Sequence, residues 1–176
     1  MIEGCIYKLG KFTASENVGY MTATKNLWRI RFKYSTYAIL ITDPHIPKFG
    51  FSFTSFPDII DEHVKPNTYL DVIGVFEMLH PIAVSEQRNE WTHVDLTDKH
   101  NNRLSFYIFG DYVKQIVQIN NDYASAKERP ILALQCVIRT EWKGTVRIKT
   151  SFDATRIYVN PDIPEVMEFK KRVGAS

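Results

Sequence analysis

Short segments in which apolar and polar residues alternate run through most of this 176-residue chain. The clearest is LWRIRFKY at residues 27–34, which sets Trp28, Ile30, Phe32 and Tyr34 against Arg29, Arg31 and Lys33. An alternation of period two is typical of a β-strand with one buried face, because successive side chains of a strand point to opposite sides. The pattern predicts a mainly all-β protein, with two strands and a connecting loop over residues 4–34.

A second region rich in strands begins at Tyr69. Its strand candidates are YLDVIGVF, EWTHVDLTD, RLSFYIFGD, ILALQCVIRTEW and TVRIKTSF. Between the second and third of these, KHNN is typical of a hairpin turn, because Asn tolerates the left-handed backbone. Lys143-Gly144 predicts a short turn between the last two.

Two segments of the same region have helical periodicity. DYVKQIVQINNDYASA has apolar residues every three or four positions, which predicts a helix with Asp111 as its N-cap. PEVMEFKKRV predicts a terminal helix, because its acidic start and basic end suit the helix dipole. The order strand, strand, strand, helix, strand, strand is that of the OB-fold, a five-stranded Greek-key barrel that binds oligonucleotides or oligosaccharides.

The net charge conceals an uneven distribution. The 22 basic and 20 acidic residues leave only +2, which excludes a histone-like charge reservoir. Residues 1–41 and 129–160 nevertheless each hold six bases and two acids, and the segments between them are acidic. A basic stripe beside aromatic residues is typical of a nucleic-acid surface, whereas a solvated charged face is the alternative for any single block.

Motifs of catalysis and metal binding are missing from the sequence. It contains no phosphate-binding loop, dinucleotide turn, zinc-protease helix or hydrolase nucleophile elbow, so we predict no catalytic residue and no cofactor. Cys5 and Cys136 are far apart and the five histidines are scattered, which predicts neither a disulfide framework nor a metal site. Without a signal segment or a membrane-spanning apolar run, we expect a soluble intracellular protein with no membrane partner.

Several longer sequence motifs resemble those of the replication protein A large subunit, in particular its plant paralogues. YLDVIGVF, VDLTDKHNNRLSFYIFGDYV, RTEWKGTVRI and above all ATRIYVNPDIPEV are similar to the second central DNA-binding OB domain of that family. GCIYKLGKF, GYMTATKNLWRIRF and FGFSF resemble the last two strands and exit connector of the preceding OB domain. The resemblance implies a partial OB-fold hairpin over residues 1–41, a connector over 42–68 and a complete OB-fold over 69–172.

Candidate binding residues follow from the alternation and from this resemblance. The alternation places Tyr107 and Phe109 on the face opposite Phe106, and the resemblance implies that Phe109 and Trp142 stack on bases. In the partial domain, Tyr20 falls near the corresponding stacking position. The cations predicted to contact phosphate are Arg139, Lys143, Arg147, Lys149, Arg29 and Arg31. A place in the core is the alternative for the aromatic residues, and Trp91 receives no function.

The resemblance implies a non-enzymatic nuclear protein that binds single-stranded DNA without strong sequence preference in replication, repair or recombination. Its implied partners are single-stranded DNA and other replication protein A subunits, or a second copy of the chain that completes the half barrel. A degenerate OB-fold module that binds protein, and a protein that binds single-stranded RNA, are the alternatives.

Overall fold

The alternating segments become strands in two separate parts of the chain. A computed structural model describes residues 1–2, 4–18, 26–47, 49–61, 63–152 and 154–173. The chain divides into two units, Met1–Phe51 and Ser52–Ser176, and each is described by itself. Among the described residues, no helix has the length and apolar character needed to cross a bilayer.

The N-terminal unit contains two pairs of antiparallel strands. β1 (Ile6–Gly10) pairs with β4 (Tyr37–Ile41), and β2 (Thr13–Glu16) pairs with β3 (Trp28–Arg31). β2 and β3 form the inner pair, and β1 and β4 form the outer pair. The two pairs together therefore form one hairpin whose strand pairing is interrupted. β4 lies outside the strands that the sequence predicts.

Burial in this unit differs from the prediction of a half-buried strand over residues 27–34. All four residues of β3 are exposed, and Phe32 on the predicted apolar face is exposed as well. The strand also ends at Arg31 rather than Tyr34. The prediction is wrong here because alternation reports two chemically different faces, whereas burial needs a second layer that a two-stranded ribbon does not provide.

The second unit contains the barrel. Its strands are β5 (Tyr69–Leu79), β6 (Ala83–Val84), β7 (Glu90–Thr97), β8 (Arg103–Phe109), β9 (Ile131–Trp142), β10 (Thr145–Lys149) and β11 (Arg156–Val159). Its helices are α1 (Phe56–Ile60), α2 (Asp111–Asp122) and α3 (Pro164–Val173). Five strands close in the order β5-β7-β8-β10-β9 and back to β5, and the parallel pair β8–β10 completes the closure. This confirms the predicted OB-fold.

The barrel core is built from the inward residues of each strand and from the buried face of α2. In β8 the residues Leu104, Phe106 and Ile108 are buried, whereas Phe109 is exposed. The helix adds Val113, Ile116 and Ile119 to the same core. Burial of this apolar surface is the main stabilising contribution, at about 25 cal/mol per Å² removed from water.

The start of α2 differs by one residue from the prediction. Asp111 is the first helical residue, and the N-cap is Gly110 with φ 63° and ψ −136°. The chain turns sharply from β8 into the helix at this position, and glycine adopts such a backbone without a steric penalty. Asp111 therefore contributes its negative charge to the first turn rather than a capping hydrogen bond.

The predicted connector contains a short helix, α1. Ser55 caps it, since its Oγ accepts a hydrogen bond from the Asp58 N–H at 3.2 Å, and Pro57 lies in the first turn. Phe56 and Ile59 are buried in the barrel core. Proline is well tolerated at the start of a helix, so the proline-rich composition of this segment did not exclude one.

Both predicted hairpin turns are confirmed. Lys143 and Gly144 have φ values of 50° and 76°, as a tight two-residue turn requires, and Asn101 has a φ of 63° between β7 and β8. In the second turn Asp98 Oδ1 accepts hydrogen bonds from the N–H groups of His100 and Asn102 at 2.8 and 2.9 Å. These bonds hold the β7–β8 hairpin at its turn.

The pairing register between β5 and β9 shifts at Asp71, whose carboxylate bridges two backbone segments. Its carboxylate accepts hydrogen bonds from the N–H of Cys136 at 3.1 Å and of Ser52 at 2.9 Å. Partial burial, together with the nearby Asp71 carboxylate, raises the pKa of the Cys136 thiol, whereas Arg156 opposes the shift. The thiol is therefore neutral near pH 7.

Two phenylalanines of β8 test the assignment of the inner and outer faces. Phe106 is 0% exposed and Phe109 is 40% exposed. Phe106→Ala should lower the free energy of unfolding by about 3–5 kcal/mol, because it leaves a core cavity. Phe109→Ala should lower the free energy of unfolding by only about 1 kcal/mol, because it removes aromatic contacts at the surface. Urea denaturation followed by circular dichroism measures both, and equal losses would contradict the assigned faces.

Candidate nucleic-acid interface

Outward side chains of three neighbouring strands form one surface, called here the β7–β8–β10 face. It consists of Trp91 and His93 on β7, Tyr107 and Phe109 on β8, and Arg147 and Lys149 on β10. The register places Trp91 directly opposite Phe109 and His93 directly opposite Tyr107. These are side-chain pairs on one face of adjacent strands, where ring contacts are favoured.

The rings of this face are stacked. Centroid distances are 4.9 Å between His93 and Tyr107, 5.9 Å between Trp91 and Tyr107, and 6.4 Å between Trp91 and Phe109. The ring planes of these pairs lie within 10–28° of one another. Tyr107 is therefore the centre of a nearly parallel aromatic platform.

Arg147 connects the platform to the turn between β9 and β10. Its guanidinium carbon lies 4.1 Å from the ring centroid of Tyr107 and 5.5 Å from that of Trp142. Both distances are within the range of cation–π attraction. Its Nε is buried and has no hydrogen-bond partner among the described residues. A permanent positive charge is thus held between two aromatic rings.

Trp142 ends β9 and is 60% exposed, and Lys143 follows it in the tight turn. The positive φ values of Lys143 and Gly144 reverse the chain at once, and most of the Trp142 side chain stays exposed. Trp142 and Lys143 therefore place an apolar ring and a cation side by side at the end of the face.

The surroundings of His93 favour its neutral form. Partial burial lowers its pKa, the neighbouring His80 and Arg147 act in the same direction, and the Asp95 carboxylate opposes them. His80 stacks on His93 with a centroid distance of 3.8 Å. The positive charge of the face therefore comes mainly from Arg147 and Lys149.

Arg139 does not lie on this face, and its predicted role in phosphate binding is wrong. The side chain is 1% exposed, and its Nε donates a hydrogen bond to the backbone oxygen of Ile59 at 3.0 Å. β9 is buried on both sides at this point, since Val137 and Ile138 are buried as well. Arg139 joins β9 to α1 and is a structural residue.

The remaining predicted cations and aromatics lie in different places. Lys149 is half-buried on β10, opposite Tyr107 in the register. Arg29 and Arg31 are exposed on β3 of the N-terminal unit, and Arg29 Nε donates to Ser15 Oγ at 3.3 Å. Tyr20 lies outside the described residues.

The structure brings together four of the predicted residues through ring contacts and cation–π contacts. These are Tyr107, Phe109, Trp142 and Arg147, with Trp91 completing the contact from Phe109 to Tyr107. Sequence reasoning missed Trp91 and His93. The alternation of EWTHVDL carried the signal, because Thr92, Val94 and Leu96 are its inward residues and leave Trp91 and His93 outside.

Comparison with known proteins gives one curated relative at the sequence level, and no family model matches the chain. The relative is a 70 kDa DNA-binding subunit of replication protein A from Arabidopsis thaliana, which is 25% identical over 174 residues. The match covers 95% of this chain and 26% of the relative. The chain therefore spans about a quarter of the length of the relative it matches.

Among solved structures, a replication protein A heterotrimer bound to ssDNA is similar with a TM-score of 0.64 and 22% identity. The alignment covers 99% of this chain and 40% of that chain. This likeness supports the OB-fold assigned from the strand topology. The sequence motifs first indicated a resemblance to the replication protein A large subunit. This resemblance is thus confirmed over 95% of the chain.

Proposed function

We propose that the β7–β8–β10 face binds single-stranded DNA without strong sequence preference and without catalysis. The observation that carries this proposal is the position of Tyr107, which contacts aromatic rings of β7 and the guanidinium of Arg147 at the same time. Bases would stack on the aromatic platform, and phosphates would contact the cations beside it. Every base has an aromatic face, so stacking of this kind tolerates any sequence.

The location of the platform supports the proposal. β7 and β8 are the second and third strands of the barrel, and Trp142 with Lys143 occupies the turn between its fourth and fifth strands. OB-folds that bind oligonucleotides use this pair of strands and this loop. Solvent reaches both Phe109 and Trp142, so a base can approach either ring.

The charges of the face also fit a nucleic acid. Arg147, Lys149 and Lys143 are cations of β10 and the adjoining turn, and Arg147 is held by two rings. A guanidinium held in this way loses little conformational freedom when it contacts a phosphate. Binding should weaken as salt rises, because phosphate neutralisation releases counterions.

The relatives support a cellular setting for this activity. The curated relative is named for DNA binding, and the similar solved structure is of a heterotrimer bound to ssDNA. By analogy, this chain would act in the nucleus in replication, repair or recombination, with other replication protein A subunits as partners.

A second candidate function is protein association through the N-terminal unit. Its interrupted hairpin exposes a group of apolar side chains: Trp28, Ile30, Phe32, Ile39 and Leu40. Exposed apolar surface of this kind is typical of interaction sites. Sedimentation at several concentrations tests it. A salt-sensitive DNA-binding monomer would contradict association with a second copy, and a stable dimer that ignores DNA would support it.

Loss of a platform ring should weaken DNA binding. Tyr107→Ala, Trp91→Ala and Phe109→Ala should each lower affinity for oligo-dT by about 5- to 150-fold, the equivalent of about 1–3 kcal/mol per stacked base. Fluorescence anisotropy measures the affinity, with Tyr158→Ala on β11 as an aromatic control outside the face. Unchanged affinity in all three variants would contradict the proposed site. Tighter binding of oligo-rU would assign the face to RNA instead.

Salt dependence separates phosphate-binding cations from structural ones. Arg147→Met and Lys149→Met should each reduce the slope of log affinity against log salt by about 0.7, the value for one phosphate contact on a single strand. Arg139→Met removes an equal charge from the protein interior and should leave the slope unchanged. Titrations of oligo-dT at three salt concentrations measure the slopes. An equal effect of Arg139→Met would contradict its structural assignment.

A further inference from the structure

Three metal-ligating side chains meet at one edge of the β7–β8–β10 face. His80, His93 and Asp95 each offer a ligand atom, and these atoms all lie within 4.8 Å of one another. This is the one group of three or more His, Cys, Asp or Glu found within metal-binding distance among the described residues. We propose that His80, His93 and Asp95 form a binding site for a divalent transition-metal ion of the zinc type.

The backbone holds the two histidines side by side. His80 follows the end of β5, and its N–H donates a hydrogen bond to the backbone oxygen of His93 at 2.9 Å. The buried Thr92 donates its hydroxyl proton to the backbone oxygen of His80 at 2.7 Å. The position of His80 relative to β7 is thus determined by two hydrogen bonds that do not involve either imidazole.

The donor set suits zinc chemistry. Zinc is bound by imidazole nitrogen and carboxylate oxygen, and three protein ligands with one open position are a common arrangement. His80 Nε2 lies 2.9 Å from Asp95 Oδ2, so an ion would replace the proton shared by these two atoms. The other carboxylate oxygen of Asp95 accepts a hydrogen bond from Ser105 Oγ at 3.3 Å. Such an outer contact orients a ligating carboxylate.

His93 brings an independent observation. Its Nδ1 is buried and has no hydrogen-bond partner among the described residues, although a buried polar atom normally has one. The same ring is held between His80 and Tyr107 by stacking. An ion bound by His80, Asp95 and this nitrogen would give it a partner.

Coordination of an ion requires a rearrangement of the side chains. A tetrahedral ion with bonds of about 2.0–2.1 Å needs ligand atoms about 3.3 Å apart. The His80 Nε2–Asp95 Oδ2 separation of 2.9 Å would widen slightly, and the stacked His80 and His93 rings would turn about χ2, a broad torsion, so that a nitrogen of each points at the ion. The side chains of His80 and Asp95 are each 27% exposed, so an ion and a water ligand can enter. The negative charge of Asp95 favours binding of a cation, whereas the positive charge of the facing Arg147 opposes it.

The test is a titration of the metal-free 176-residue chain with Co²⁺ and with Zn²⁺ under reducing conditions. We expect saturable binding of one ion per chain, with a Co²⁺ spectrum that lacks a sulfur-to-cobalt charge-transfer band. His93→Ala and Asp95→Asn should each weaken binding by at least about 10-fold, since even loss of an outer partner costs about 10- to 100-fold. His63→Ala is the matched control, because His63 Nδ1 lies 3.4 Å from Asp58 Oδ1 in another His–Asp pair.

A second measurement does not depend on the folding of variants. In the wild-type protein, substoichiometric Co²⁺ should shift or broaden the imidazole NMR resonances of His80 and His93 before those of His63. The proposal is overturned if folded wild-type protein binds no ion, if His93→Ala and Asp95→Asn bind as tightly as wild type, or if Cys5→Ser alone abolishes binding. These readouts need no DNA, so they are independent of the proposed function.

Discussion

The pairing register of β7 with β8 is the constraint on which the rest of the barrel unit depends. Side chains of a strand alternate between faces, so a slip by one residue would move every inward residue of the hairpin to the outside. The Asp98 carboxylate holds the turn, and at the other end Gly110 donates its N–H to the backbone oxygen of Glu90 at 3.1 Å. With both ends held, Leu104, Phe106 and Ile108 enter the core together.

The same register builds the proposed interface. It places the outward rings of Trp91 and His93 opposite those of Phe109 and Tyr107, so the platform is the reverse side of the core hairpin. A rigid core on one side keeps the rings on the other side aligned. The rings therefore lose little conformational freedom when a ligand binds. Closure of the barrel by β10 adds Arg147, whose charge comes from a segment about forty residues away in sequence.

Much of the fold could be predicted because local chemistry and tertiary structure agree there. The alternation in RLSFYIF, the periodicity of α2 and the Lys143-Gly144 turn all describe the observed elements. The misses have physical causes. α1 was not predicted because its segment is rich in proline, although proline suits a first helical turn. The exposure of β3 was not predicted because it depends on whether another layer covers the strand. Both depend on packing, which periodicity does not report.

For the proposed interface, the sequence by itself determined which face of β8 carries Tyr107 and Phe109 and that Trp142 ends a strand at a tight turn. Only the tertiary structure decided the rest. It paired Trp91 and His93 with Phe109 and Tyr107, buried Arg139 beside α1, and brought His80 to His93 and Asp95. The physical reason is that alternation is a property of a single strand. Which strands become neighbours, and whether a charge lies inside or outside, is decided when the barrel closes.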